Sequence, residues 1–147
     1  MARTNKFSLS FPSSLEYLDA LQGVAESLAS VAGFGDEGRL DLGLAVREGV
    51  INAMKHGNRL DPSIPVRLSF HITESEFKVS IVDRGEGFEP RETPDPTSSE
   101  NIWRTSGRGL LLIRSLVNEV RYRRRKRGME LVLTKYIPRG DAGEAAL

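Results

Sequence analysis

Apolar and polar positions alternate in "FSLSF": Phe7, Leu9 and Phe11 share one face, which predicts a short strand stopped by Pro12. Ser13 with Glu16 three residues on has the form of a capping box. Leu15, Leu18, Leu21, Ala25, Leu28 and Ala32 then recur at helical spacing, so a helix is expected from about Ser14 to Ala32, closed by Gly33. A second helix is expected from Asp36 to about His56. Its core face is Leu42, Ala45, Val46, Gly49, Val50 and Ala53, and its opposite stripe is Asp41, Leu44, Glu48, Asn52 and Lys55. "VRLSFHI" and "FKVSIVD" alternate with period two and are joined by the short polar link Thr73–Glu76, an antiparallel hairpin. Residues 89–106 carry three prolines and few apolar groups, a loop long enough to suggest a lid or binding segment. Gly107 and Gly109 open a third helix bearing Leu110, Ile113, Leu116 and Val117, which Asn118 is expected to end. "EVRYRRRKRGMELVLTKY" reads as a closing hairpin turning near Arg127-Gly128, and residues 138–147 as a frayed tail. The order β-α-α-β-β-loop-α-β-β predicts a single α+β domain, helices on one side of a mostly antiparallel sheet. The other sheet face would be open to solvent or a partner.

Composition narrows the class. The 147 residues suit one domain, 39% hydrophobic and 28% charged, with no cysteine. Disulfides, thiolate metal sites and cysteine nucleophiles are therefore excluded. No apolar run approaches the roughly 20 residues of a membrane span, and the N-terminus lacks a signal-peptide core. A cytoplasmic location fits. Charge is uneven: residues 1–100 hold 16 Asp/Glu against 10 Lys/Arg, and residues 101–147 hold 4 against 11. Much of the positive end is "RYRRRKR", residues 121–127, which fits an exposed sheet face, a docking surface for an acidic partner or a nucleic-acid contact. No recognition helix or aromatic platform accompanies it, which disfavours direct nucleic-acid binding.

Three short segments carry candidate chemistry. Glu48 and Asn52 are four residues apart and share one helix face. Such a pair also fits a solvated face, but Asn is a mediocre helix former, and liganding a hard cation through its amide oxygen would justify it. Asp83-Arg84-Gly85-Glu86-Gly87 fits a turn; equally, its glycines admit a flat ligand and its carboxylate can accept from an exocyclic amine. Gly107-Arg108-Gly109-Leu110, ahead of a helix, leaves backbone N–H groups free to hold an anion.

In this order the three resemble the boxes of the Bergerat-fold (histidine kinase-like) ATP-binding superfamily. "EGVINAMKHGN" is similar to its Glu-x3-Asn box, "DRGEG" to its Asp-x-Gly-x-Gly box and "GRGL" to its second glycine box. The short chain, "TSGRGLLLIRSLVNEVRY" and "ELVLTKY" most resemble the small bacterial anti-sigma-factor serine kinases, over residues 7–137. The resemblance implies an α+β two-layer sandwich, its mostly antiparallel mixed sheet covered on one face by helices, with residues 89–106 as the ATP lid.

It also implies roles. Asn52 would ligand Mg²⁺ and Asp83 would accept from the adenine amine. Gly85 and Gly87 would let base and ribose approach. Gly107, Arg108, Gly109 and Leu110 would wrap the phosphates, Arg108 alternatively facing the lid. Glu48 would be the general base toward a serine hydroxyl of a partner. Lys55 would reach the phosphates or point to solvent, and His56 would be a helix-end structural residue. Gly49 stands where the subfamily often has Ala. The implied function is an ATP–Mg²⁺-dependent anti-sigma factor that phosphorylates a serine of a STAS-type anti-anti-sigma antagonist and sequesters a sigma factor; the same resemblance implies a homodimer. The alternative is an ATP-binding regulatory module without sigma partner or kinase activity.

Overall fold

The computed structural model describes residues 4–84 and 108–138, with Arg108 described in its backbone only. The expected lid and the positions Gly85, Gly87 and Gly107 lie outside these residues. The chain runs β1 (Asn5–Phe11), α1 (Leu18–Ala32), α2 (Asp36–Asn52), β2 (Val66–Ile72), β3 (Glu76–Val82), α3 (Arg108–Leu116), β4 (Glu119–Arg124) and β5 (Met129–Tyr136). The five strands form one sheet in the order β1-β2-β3-β5-β4, and every pairing is antiparallel, so no parallel pair makes it mixed. Among the described residues no helix is long and apolar enough to cross a membrane.

Period two on β2 and β3 produces the layers. Val66, Leu68, Phe70 and Ile72, with Phe77, Val79 and Ile81, are buried on the helix side. Arg67, Ser69 and His71 alternate with them on the other face. Phe77 packs edge-on against both Phe70 and Phe34, with ring centroids 6.0 Å apart in each pair. The expected core face of α2 is buried throughout. Burying each large side chain is worth about 1.5–3 kcal/mol. That outweighs the helix-propensity loss of about 1 kcal/mol each at the interior glycines Gly43 and Gly49. Gly49 earns its place by close approach, since a methyl group there would stand 2.7 Å from Ile81 Cδ1 and 2.9 Å from Leu131 Cδ2.

The start of the first helix differs from expectation. Leu15–Tyr17 form a 3₁₀ turn, and α1 begins only at Leu18. Ser13 does not cap it, because its hydroxyl is buried and donates to the Ile64 carbonyl at 2.6 Å. Tertiary contact takes the group a local capping box would have used. The end is as expected: Gly33 is left-handed at φ 113°, the Phe34 N–H reaches Ala29 O, and the Gly33 N–H reaches Ser30 O.

The second helix also departs. The α-helical pattern stops at Asn52, and Ala53–Gly57 form a π turn. α3 ends at Leu116, and Asn118 instead joins the sheet, its N–H donating to Thr134 O and its Oδ1 accepting the Tyr136 N–H. The closing hairpin turns as read, through Gly128 at φ 79°.

Candidate nucleotide site

The polar stripe of α2 is not a solvated face, because α3 lies over it. Glu48 is half-buried, and Asn52, the last α-helical residue, is only 7% exposed. A methyl group on Gly109, in the first turn of α3, would stand 2.9 Å from Glu48 Oε2 and 3.7 Å from Asn52 Nδ2. Segments 61 residues apart, Glu48 and Gly109, thus meet with no side chain between them. Lys135 holds the far end of α3 down, its Nζ donating to Leu116 O at 2.8 Å and lying 3.7 Å from Asp41 Oδ2 on α2. The cation at a helix C-terminus is also favoured by the dipole.

Asn52 carries the most specific signal. Its Nδ2 is buried without a hydrogen-bond partner among the described residues. An unpaired buried amide costs about 1–3 kcal/mol, so it belongs where a bound group completes it. The orphaned Nδ2 and the N–H groups of a helix start can donate to phosphate oxygens, while the amide oxygen of Asn52 and the carboxylate of Glu48 are oxygen ligands of the kind a hard cation takes. The residues fit both Mg²⁺ and a phosphate chain.

Asp83 marks the other corner, just past β3. It exchanges hydrogen bonds with β5: its N–H donates to Met129 O at 3.0 Å, and Oδ1 accepts the Met129 N–H at 3.2 Å. Its carboxylate lies hard against Gly57, at the end of the π turn, where no side chain would fit. The turn Ala53–Gly57 therefore spans the distance between the two corners, Asp83 at one end and Asn52 at the other. π turns of this kind often sit at functional sites. Burial, and then the nearby Asp83 charge, push the Tyr122 phenol up to about 12.

The remaining sequence candidates divide. Leu110 has its side chain in the core at 1% exposure, so only its backbone can face a ligand. Lys55 and His56 ride on the π turn and are exposed; neither side chain has a hydrogen bond or ion pair among the described residues. Arg108 opens α3 with its backbone.

Two contributors were not singled out from sequence. Gly57 directly follows the expected end of the second helix and was given no part in the site. Asn58, 1% exposed, was given no role, yet its Oδ1 accepts the Arg84 N–H at 2.8 Å. Its Nδ2 donates to Ser13 Oγ at 2.9 Å and to Ile64 O and Pro65 O at 3.2 Å each. It holds the chain at the point where the Asp83 loop leaves the sheet. The available signal was an Asn directly after a helix-stopping Gly, followed by a turn-rich "RLDPSIP". In that turn Arg59 and Leu60 take left-handed conformations, φ 54° and 57°, held in part by the Leu60 N–H on Met54 O.

The chain is 30% identical over 148 residues to the serine-protein kinase RsbW of Listeria monocytogenes, covering 97% of this chain and 94% of that protein. It is 31% identical over 133 residues to the serine-protein kinase RsbW of Staphylococcus aureus strain MW2, covering 86% and 83%. It superposes with a TM-score of 0.67, at 17% identity, on a crystal structure of the RsbU and RsbW domains of a Mycobacterium tuberculosis protein, covering 92% of this chain and 33% of that one. Residues 11–135 match the family described as the histidine kinase-like ATPase domain, and the chain belongs to that family.

Proposed function

We propose that this chain is a protein serine kinase and anti-sigma factor. It binds ATP with Mg²⁺, transfers the γ-phosphoryl group to a serine of an anti-anti-sigma antagonist, and sequesters a sigma factor, acting as a homodimer. The observation that carries the reading is the meeting of Glu48, the unpartnered amide of Asn52 and the side-chain-free Gly109 at the start of α3.

In this reading Asp83 accepts from the adenine amine, its carboxylate fixed by the Met129 N–H. Asn52 would supply an amide oxygen to Mg²⁺, which would neutralise charge on the phosphates. The backbone of Gly109 and its neighbours in α3 faces the phosphate chain at the positive end of the helix dipole. Gly85, Gly87, Gly107 and Arg108 keep the roles of their boxes. As the serine oxygen attacks the γ-phosphorus, the bond from that phosphorus to the β–γ bridging oxygen breaks and ADP leaves. Glu48 takes the hydroxyl proton. Binding alone needs no such base, so Glu48 favours a kinase over a passive ATP-binding module.

The test uses labelled ATP and a purified antagonist-type protein. Glu48→Ala should bind ATP–Mg²⁺ about as well as the parent yet lose phosphotransfer by about 10²-fold or more. Transfer that survives the substitution removes Glu48 from the mechanism. Calorimetry that shows equal ATP binding by the parent, Asn52→Ala and Asp83→Asn removes the site.

A further inference from the structure

The basic run that the nucleotide site does not use builds a concavity on the opposite face of the sheet. The register places Arg67 beside Val82, Val82 beside Glu130, and Glu130 beside Arg123, a row across four strands on the helix-free face. Over this row lies a cavity of about 860 Å³. Its walls are Arg67 and Arg84 on one side and the five consecutive cations of residues 123–127 on the other, and Glu130 is its one acidic lining residue among the described residues.

Glu130 organises the cavity without neutralising it. It is 9% exposed; Ser80 donates its hydroxyl to Oε2, while Arg123 and Arg125 sit 3.3 and 3.5 Å from Oε1. Two guanidinium groups are thus held in place around a single negative charge. Arg67, Arg84, Lys126 and Arg127 have no ion pair among the described residues. A wet sheet face of ordinary character interleaves both signs, because like charges on adjacent strands repel. Here one sign is gathered into a concave space of small-molecule size. Among the described residues the apolar lining is only Pro65 and Val82, with no aromatic platform on which bases could stack.

We infer that this cavity is a second anion site, which takes a compact ligand carrying several linked phosphates. Planar guanidinium forks match phosphate oxygens in pairs, and a multivalent anion relieves the repulsion the empty site carries. The site is separate from the nucleotide corner. Val82 faces the cavity and its neighbours Ile81 and Asp83 lie buried toward the helices, so the two sites share a strand end but not a face. The inference stands whether or not the chain is a kinase.

Inorganic tripolyphosphate is the probe, titrated into the full chain saturated with ATP–Mg²⁺ so that the nucleotide site is filled. The parent should bind it, and Arg67→Ala/Lys126→Ala/Arg127→Ala should bind it at least about tenfold more weakly. The variant's ATP–Mg²⁺ affinity, unchanged within about twofold, reports that it is folded. No heat with the parent, or equal binding by the folded variant, overturns the inference. So does a glutamate decapeptide of comparable charge binding as tightly as tripolyphosphate, which would make the cavity a docking surface for acidic protein. Tighter binding of a single-stranded oligonucleotide would overturn it in favour of nucleic acid.

Discussion

Asn58 shows how much one side chain can carry. It joins four backbone or hydroxyl groups from three separate segments, so removing it strands several buried partners at once. Asn58→Ala is expected to cost about 2–4 kcal/mol in urea denaturation. It should also weaken ATP binding beyond what a core truncation of equal cost does, because Arg84 is released next to Asp83. Tyr122 gives a pH signature. Its phenol is raised from an ordinary value of 10.0 to about 12 in the folded protein. The unfolded chain therefore ionises first as pH rises, and the contribution of Tyr122 to stability is complete below about 10 and lost on the way to about 12. Tyr122→Phe should flatten the alkaline fall in denaturation midpoint across that window. An unchanged slope would assign the fall to other groups. At this scale Glu48, Asn52 and Asp83 stood out as candidates because, taken together with the second glycine box, they resemble the boxes of a known superfamily, although each alone fits a solvated face or a turn. Asn58 was not, because an Asn after a helix end is ordinary and only its partners make it special.

At the scale of the element, α2 is the component on which the site is built. One face seats on the sheet and the other lies under α3, so the stripe of Glu48 and Asn52, which the sequence alone left open between a solvated and a ligand-binding face, is covered. Gly49→Ala tests the seating. Propensity alone predicts a gain of about 1 kcal/mol, whereas crowding against Ile81 and Leu131 predicts a loss of about 1–3 kcal/mol. The geometry favours a net loss, read as a lower urea midpoint; a higher midpoint would show that the sheet side chains give way freely. The π turn after Asn52 left no mark in the apolar spacing, since Ala53, Met54 and Gly57 are all small or flexible enough to suit either winding. The chain adopts it where Gly57 must pass close to the Asp83 carboxylate.

For the whole molecule, one core joins all three helices to all five strands, so ligand binding at the α2 corner should be felt by the entire unfolding transition. ATP–Mg²⁺ at about a hundred times its dissociation constant adds about 2.7 kcal/mol. In a domain of this size that raises the Tm by about 5–10 °C. Asn52→Ala and Asp83→Asn should lose the shift while keeping a cooperative melt, which calorimetric scans would show. The division of charge along the chain also becomes spatial here: the acidic and amide groups of the nucleotide site lie on the helix side, and the basic run gathers on the open face.

Local pattern by itself determined the strands, the three helices and the antiparallel hairpins, because each depends on periods of two or 3.6 residues and on side chains within a few positions of one another; the three short segments took on chemical roles only through their resemblance to the boxes of a known superfamily. Only tertiary structure decided that α3 would roof Glu48 and Asn52, that Ser13 would leave its helix for Asn58, that the second helix would change its winding at the site, and that Glu130 would draw two arginines into one cavity. Each of those outcomes is a choice of hydrogen-bond or packing partner from a distant segment. Spacing along the chain holds no record of such partners until the sheet and helices have brought them together.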